Sequence, residues 1–146
     1  MAHERSDYMK TLITGGCVCG AVRFECSAAP IMMLKCHCRD CQRVTGGPYA
    51  PAVIFPFSAF RVIEGKIEHY STQSESGGQN LRGFCPTCGS RLTGAESPEK
   101  GIIGVLASSL DDPSIFKPTL EIYTSDAQSW DIMDSTTTKC VRGIAR

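Results

Sequence analysis

The sequence predicts a single, mainly β domain with little helix. The chain is 146 residues long, the size of one domain. Fourteen glycines and eight prolines cut it into short elements joined by turns, which favours strands over a helical bundle. Ala21–Cys26 alternates cleanly, with Val22, Phe24 and Cys26 on one face and Arg23 and Glu25 on the other. Hydrophobic content is that of a folded chain, and a domain of this length buries roughly 70% of its unfolded surface.

Residues 1–11 read as a leader, 12–134 as the domain and 135–146 as a loose tail. From Leu12 a short strand enters Gly15-Gly16, a turn that presents Cys17 and Cys19. The alternation of the next strand makes Cys26 a small core residue, since a free cysteine packs as a hydrophobe. Ile31–Leu34 is an apolar strand running straight into Cys36, and Asp40–Val44 forms one helical turn that Gly46-Gly47-Pro48 ends. Tyr49–Phe55 is β-type, and Pro51 places it at a sheet edge or makes it irregular. Phe60–Tyr70 makes two strands about Gly65, and residues 71–79 are a polar loop. Leu81–Phe84 leads into Cys85-Pro86-Thr87-Cys88-Gly89, where proline fixes φ and glycine permits a left-handed turn. Ile102–Leu110 and Leu120–Tyr123 are further strands, with Asp111-Asp112-Pro113 a turn rather than a paired acid site. Trp130 caps the core or a pocket, and Cys140 has no partner nearby in sequence.

Composition narrows the function. The formal net charge is zero, which argues against a nucleic-acid binder relying on a basic face. No apolar run approaches the roughly 18 residues of a membrane span. Met1–Tyr8 lacks the apolar run of a secretory signal, so the expected location is the cytoplasm. There the nine cysteines read as metal ligands rather than disulfides.

They fall mainly into three tight groups: Cys17-Val18-Cys19, then Cys36-His37-Cys38-Arg39-Asp40-Cys41, then Cys85-Pro86-Thr87-Cys88. A disulfide across C-x-C is strained, and clustered thiols favour soft metals such as Zn²⁺. Cys17, Cys19, Cys85 and Cys88 suit a closed structural zinc. Cys36, Cys38 and Cys41 supply three ligands of four and leave the open position of a catalytic zinc, so two zinc ions per chain are expected. Four thiolates on Zn²⁺ carry −2 and three carry −1, and Lys35, Arg39, Arg43, Arg82 and Arg91 stand near the clusters, each either offsetting that charge or simply a solvated surface cation. If residues 36–38 are extended, His37 points away from Cys36 and Cys38. It is then a poor ligand for the same metal, left to a structural, supporting or substrate-facing role.

Gly16-Cys17-Val18-Cys19-Gly20, Cys36–Arg43 with the following Gly46-Gly47-Pro48, Phe84–Ser90 and Trp130 together resemble the glutathione-dependent formaldehyde-activating enzyme family, whose domain is shared with centromere protein V. The resemblance implies an Mss4-like zinc-binding β fold and the two zinc sites above. It also implies carbon–sulfur lyase chemistry on a thiol–aldehyde adduct such as S-hydroxymethylglutathione. The expected partner is therefore a small thiol such as glutathione, anchored by Lys35, Arg39 or Arg43, with no nucleic acid or membrane. A non-enzymatic zinc module, in which both metals merely hold loops, is the alternative.

Overall fold

The computed structural model describes residues 12–75 and 77–144, so the leader expected over residues 1–11 lies outside it. The described chain is mainly β. Its strands are β1 (Ile13–Gly16), β2 (Arg23–Cys26), β3 (Met32–Cys36), β4 (Ala50–Pro56), β5 (Phe60–Glu64), β6 (Glu68–Gln73), β7 (Gln79–Phe84), β8 (Arg91–Ser97), β9 (Ile102–Leu106), β10 (Leu120–Ile122) and β11 (Thr138–Lys139). The one α-helix among the described residues is α1 (Arg39–Thr45). A small sheet has the order β1-β2-β5, and a large one the order β11-β10-β3-β4-β9-β8-β7-β6.

The period-two alternation of strands divides the apolar residues between two clusters. On one face of β4 and β9, Val53, Phe55, Ile103 and Val105 pack with Val22, Phe24 and Cys26 of the small-sheet hairpin and with Leu92. This is the core between the sheets. Cys26 is fully buried there, and burial pushes its thiol up to about 12, as expected of a packing residue rather than a ligand. The next residues along the same strands, Ala50, Ile54 and Leu106, face the other way and form a second cluster with Leu34, Cys36 and Cys41. One sheet face thus builds the core and the other builds the site.

Four expectations need correction. β4 is not an edge strand but lies between β3 and β9. Its pairing with β9 begins at Ala52, opposite Leu106, so the missing N–H of Pro51 costs no bond on that side. The polar stretch at 71–79 is mostly hairpin, because Ser71, Thr72 and Gln73 pair with Leu81, Asn80 and Gln79. The stretch after Asp134 is not loose: β11 lies parallel to β10, and buried Thr137 donates to the carboxylate of Glu121. Trp130 caps neither core nor pocket, being 67% exposed.

Asp111 and Asp112 form the expected turn. Asp111 accepts from both Arg23 and Thr14, tying the turn to β2 and β1, while Asp112 accepts from the backbone N–H of Ser114. The Arg23 and Thr14 bonds draw the Asp111 carboxyl from its ordinary 3.8 to about 2. A carboxylate lowered in the folded state adds stability above its unfolded pKa and loses it as pH falls through the folded one. Asp111→Asn should therefore destabilise by only about 0.5 kcal/mol at pH 7, because Arg23 and Asp111 are 32% and 46% exposed. The difference from the native chain, read by urea unfolding, should shrink as pH drops from about 4 to about 2. A difference independent of pH would mean that the carboxylate charge contributes nothing.

Candidate metal and substrate site

Two thiol groups are assembled, from the three sequence clusters. In the first, Cys17 and Cys19 from the turn after β1 meet Cys85 and Cys88 from the knuckle after β7, all four sulfurs lying within 4.8 Å of one another. Gly20 and Gly89 both have φ of 80°, the left-handed turn that lets each loop fold back. The backbone N–H of Val22 donates to Cys17 Sγ at 3.2 Å, and that of Cys88 points at Cys85 Sγ at 3.5 Å. Ser90 Oγ accepts from the backbone N–H of Val18 and lies 3.1 Å from Cys88 Sγ; its hydroxyl bond draws the Cys88 thiol down to about 5. The group joins the small-sheet hairpin to the large sheet.

The donor set fits a tetrahedral thiophilic metal. Zinc–sulfur bonds of about 2.3 Å at tetrahedral angles put neighbouring sulfurs about 3.8 Å apart. The Cys17–Cys19 and Cys19–Cys85 separations are 3.5 and 3.9 Å.

In the second group, Cys36 ends β3, Cys38 is the N-cap of α1 and Cys41 lies in its first turns, again with all three sulfurs within 4.8 Å of one another. The backbone N–H of Cys41 donates to Cys38 Sγ at 3.3 Å, so the helix start fixes the spacing. Hydrogen bonds from the Cys36 and Cys41 thiols, with that N–H and the nearby Arg82 charge, hold Cys38 down to about 2. The same Cys36–Cys38 bond pushes Cys36 up. Three sulfurs this close, with a backbone N–H and Arg82 beside them, favour negative charge on the trio.

Arg82 answers that charge. It projects from β7, only 5% exposed, with Nη1 3.7 Å from Cys41 Sγ and Nε donating to Thr72 Oγ1 at 3.2 Å. Burial works against its ionisation, but the sulfurs of Cys41 and Cys38 together outweigh burial and raise its pKa. A flat sheet would hold β3 and β7, four places apart in the order, about 19 Å from each other. Arg82 and Cys41 nevertheless meet, so the face between β3 and β7 is concave rather than flat.

The concavity is a cavity of about 720 Å³ lined by the trio, by Arg39 and Arg82, and by the second apolar cluster. Tyr123 and Ala95 also line it, with left-handed φ of 54° and 50°. Such backbone persists where surrounding contacts impose it. For Tyr123 these include its N–H to Arg142 O at 2.8 Å and the Arg142 guanidinium 4.9 Å over its ring. Arg142, also in the cavity wall, is held by Glu75 and Asp126.

Of the three cations expected to anchor a substrate, only Arg39 reaches the cavity wall. Lys35 alternates to the other sheet face and lies over the Tyr49 ring, and Arg43 is exposed on α1 outside the lining. Arg82 was one of five cations near the clusters, with nothing in sequence to single it out. Tyr123 and Arg142 carried no local signal at all.

His37 points away from the trio, as its position in an extended segment predicts. It is fully buried, with Nε2 2.8 Å from Glu121 Oε1, and its carbonyl accepts from Gln42 Nε2 at 2.6 Å. Asp131 Oδ2 is 3.4 Å from Nδ1, close but not hydrogen-bonded. Glu121 also takes the Thr137 hydroxyl and lies 3.6 Å from Lys139 Nζ. The histidine therefore joins the Cys36–Cys38 loop to β10 and the C-terminal return. Cys140 belongs to neither thiol group.

Residues 12–126 match the glutathione-dependent formaldehyde-activating enzyme family. The chain belongs to that family. The match takes in both thiol groups and Arg82, and it stops before Asp131, β11 and Arg142, so part of the wall around this member's cavity lies outside the family match. Among solved structures, a Rhodobacter sphaeroides protein determined as a structural genomics target is similar in fold. Its TM-score is 0.56 at 24% identity, over 72% of this chain and 96% of that one. Among the described residues, no helix is long and apolar enough to cross a membrane.

Proposed function

We propose that the protein is a zinc-dependent carbon–sulfur lyase that makes or breaks the adduct of a small thiol with an aldehyde, with glutathione as the thiol. The observation that carries this reading is a trio of thiols opening directly into a large cavity. Cys17, Cys19, Cys85 and Cys88 would hold one zinc as a structural staple, and Cys36, Cys38 and Cys41 the other. A zinc on three thiolates supplies, when bound, a soft acceptor that keeps a fourth sulfur ionised at neutral pH.

The chain's own residues supply the rest. Arg82 holds positive charge against the trio, and Arg39 offers a cation at the wall to an anionic thiol such as glutathione. The apolar floor excludes water from one side of the reacting groups, which strengthens both interactions. In the forward direction the thiolate sulfur gives an electron pair to the aldehyde carbon. The carbonyl pair moves to oxygen, which takes a proton from water. In reverse the hydroxyl loses that proton, the carbonyl reforms and the sulfur leaves with its pair.

Cobalt in place of zinc tests the site. Adding glutathione should change the visible spectrum of the cobalt protein, while S-methylglutathione, which cannot form a thiolate, should not. The response should vanish in Cys38→Ser, and the zinc protein should accelerate consumption of formaldehyde by glutathione. A spectrum indifferent to every thiol would close the site and leave the non-enzymatic zinc module as the better account.

A further inference from the structure

We propose that the cavity is built for an aldehyde with a hydrocarbon chain, so that the preferred adduct carries an apolar substituent on its reacting carbon rather than the single carbon of formaldehyde. This rests on the thiol–aldehyde reading above and adds the class of aldehyde. The sheet face that carries Cys36 is apolar along its length. In register across the strands it reads Cys36–Ala50, then Leu34–Ala52–Leu106, then Ile54–Gly104–Gly94, all of them in the cavity wall. Charged and amide groups of the wall come from elsewhere, among them Arg39 from α1, Glu75 from the β6–β7 hairpin, Arg82 from β7 and Arg142 from the C-terminal return.

Small residues hollow this face. Ala50, Ala52 and Gly94 sit among the larger Leu34, Ile54 and Leu106, and a Cβ built on Gly94 would meet nothing within 4 Å. Interiors are otherwise close-packed, and about 720 Å³ is the size of a site for a drug-sized molecule. A one-carbon aldehyde would leave most of that wall untouched, whereas a chain running from the trio past Ala52 and Ile54 towards Gly94 would cover it. Each methylene buried there should raise affinity about fourfold. The bonding steps are those already given, with one carbon–sulfur bond, one proton and no change of oxidation state.

The test titrates the zinc-loaded full chain with S-methyl-, S-butyl- and S-hexylglutathione by calorimetry. These thioethers cannot become thiolates, so they report the cavity rather than the metal. Affinity should rise at least tenfold from methyl to hexyl. In Gly94→Leu, whose Cβ has open space around it, the hexyl-to-methyl ratio should fall below about threefold, and Ala52→Leu serves if that variant does not fold. In turnover, hexanal should be preferred to formaldehyde as the partner of glutathione. If formaldehyde is turned over while affinity stays flat with chain length, this proposal falls and the thiol–aldehyde reading stands. If no glutathione derivative binds and neither aldehyde is consumed, both fall. A gradient that survives both substitutions places the chain elsewhere and also overturns the proposal.

Discussion

Cys85→Ser should cost the protein its cooperative fold, whereas Cys38→Ser should leave a folded domain. Cys85 is fully buried in the core between the sheets, and its sulfur belongs to the group that joins the β1–β2 hairpin to the β7–β8 hairpin. With zinc there as proposed, the metal contributes directly to folding, and losing a ligand removes an amount comparable to the whole stability, more than about 5 kcal/mol. Cys38 stands at the start of α1, where its side chain accepts from the backbone N–H of Cys41. Serine is among the best residues at that position, so Cys38→Ser keeps the cap and should destabilise by no more than about 1 kcal/mol. Thermal and urea unfolding, with metal counted per chain, should show one zinc retained in Cys38→Ser and no transition in Cys85→Ser. Equal destabilisation by the two changes would mean that the two thiol groups do not divide the roles of staple and site.

What the sequence made legible was local. The clean alternation of β2, the turn glycines and the spacing within each cysteine cluster are short-range patterns, and each is found where they place it. What escaped depends on strand order. Pro51 looks like an edge residue until β9 is seen to end its pairing at Ala52. Arg82 looks like any of several nearby cations until β7 is carried round to the trio. Glu121 stands between Leu120 and Ile122 as a solvent-facing strand residue would, yet it is fully buried because His37 and Thr137 satisfy it. Buried polar groups persist when paired, and their pairs here are separated by 84 and 16 residues, well beyond the spacing of any strand or helix period. The polar string before β11 reads as tail for the same reason: Thr137 becomes an interior residue only once Glu121 is there to receive it.

Arg82→Met should lower the affinity of the Cys36, Cys38 and Cys41 site for zinc by about 10- to 100-fold while leaving the other site intact. The substitution keeps much of the buried stem and removes the charge, so packing changes less than electrostatics. Three thiolates around Zn²⁺ leave a net −1 in a mostly buried place, and Arg82 is the cation that the structure sets against it, 3.7 Å from Cys41 Sγ. Partners of that kind, one step removed from the metal, typically change affinity by that range when lost. An unpaired buried charge should also lower stability by about 3 kcal/mol in urea. Arg82→Lys should recover only part of both losses, because an ammonium cannot reproduce the fork that reaches Cys41 and Thr72 together. Competition with a chromogenic chelator separates the two sites: one zinc should be released early and the second only on unfolding. If both leave together, or if Arg82→Met binds two zinc ions as tightly as the native chain, Arg82 is merely a packed side chain and the charge argument for the site is wrong.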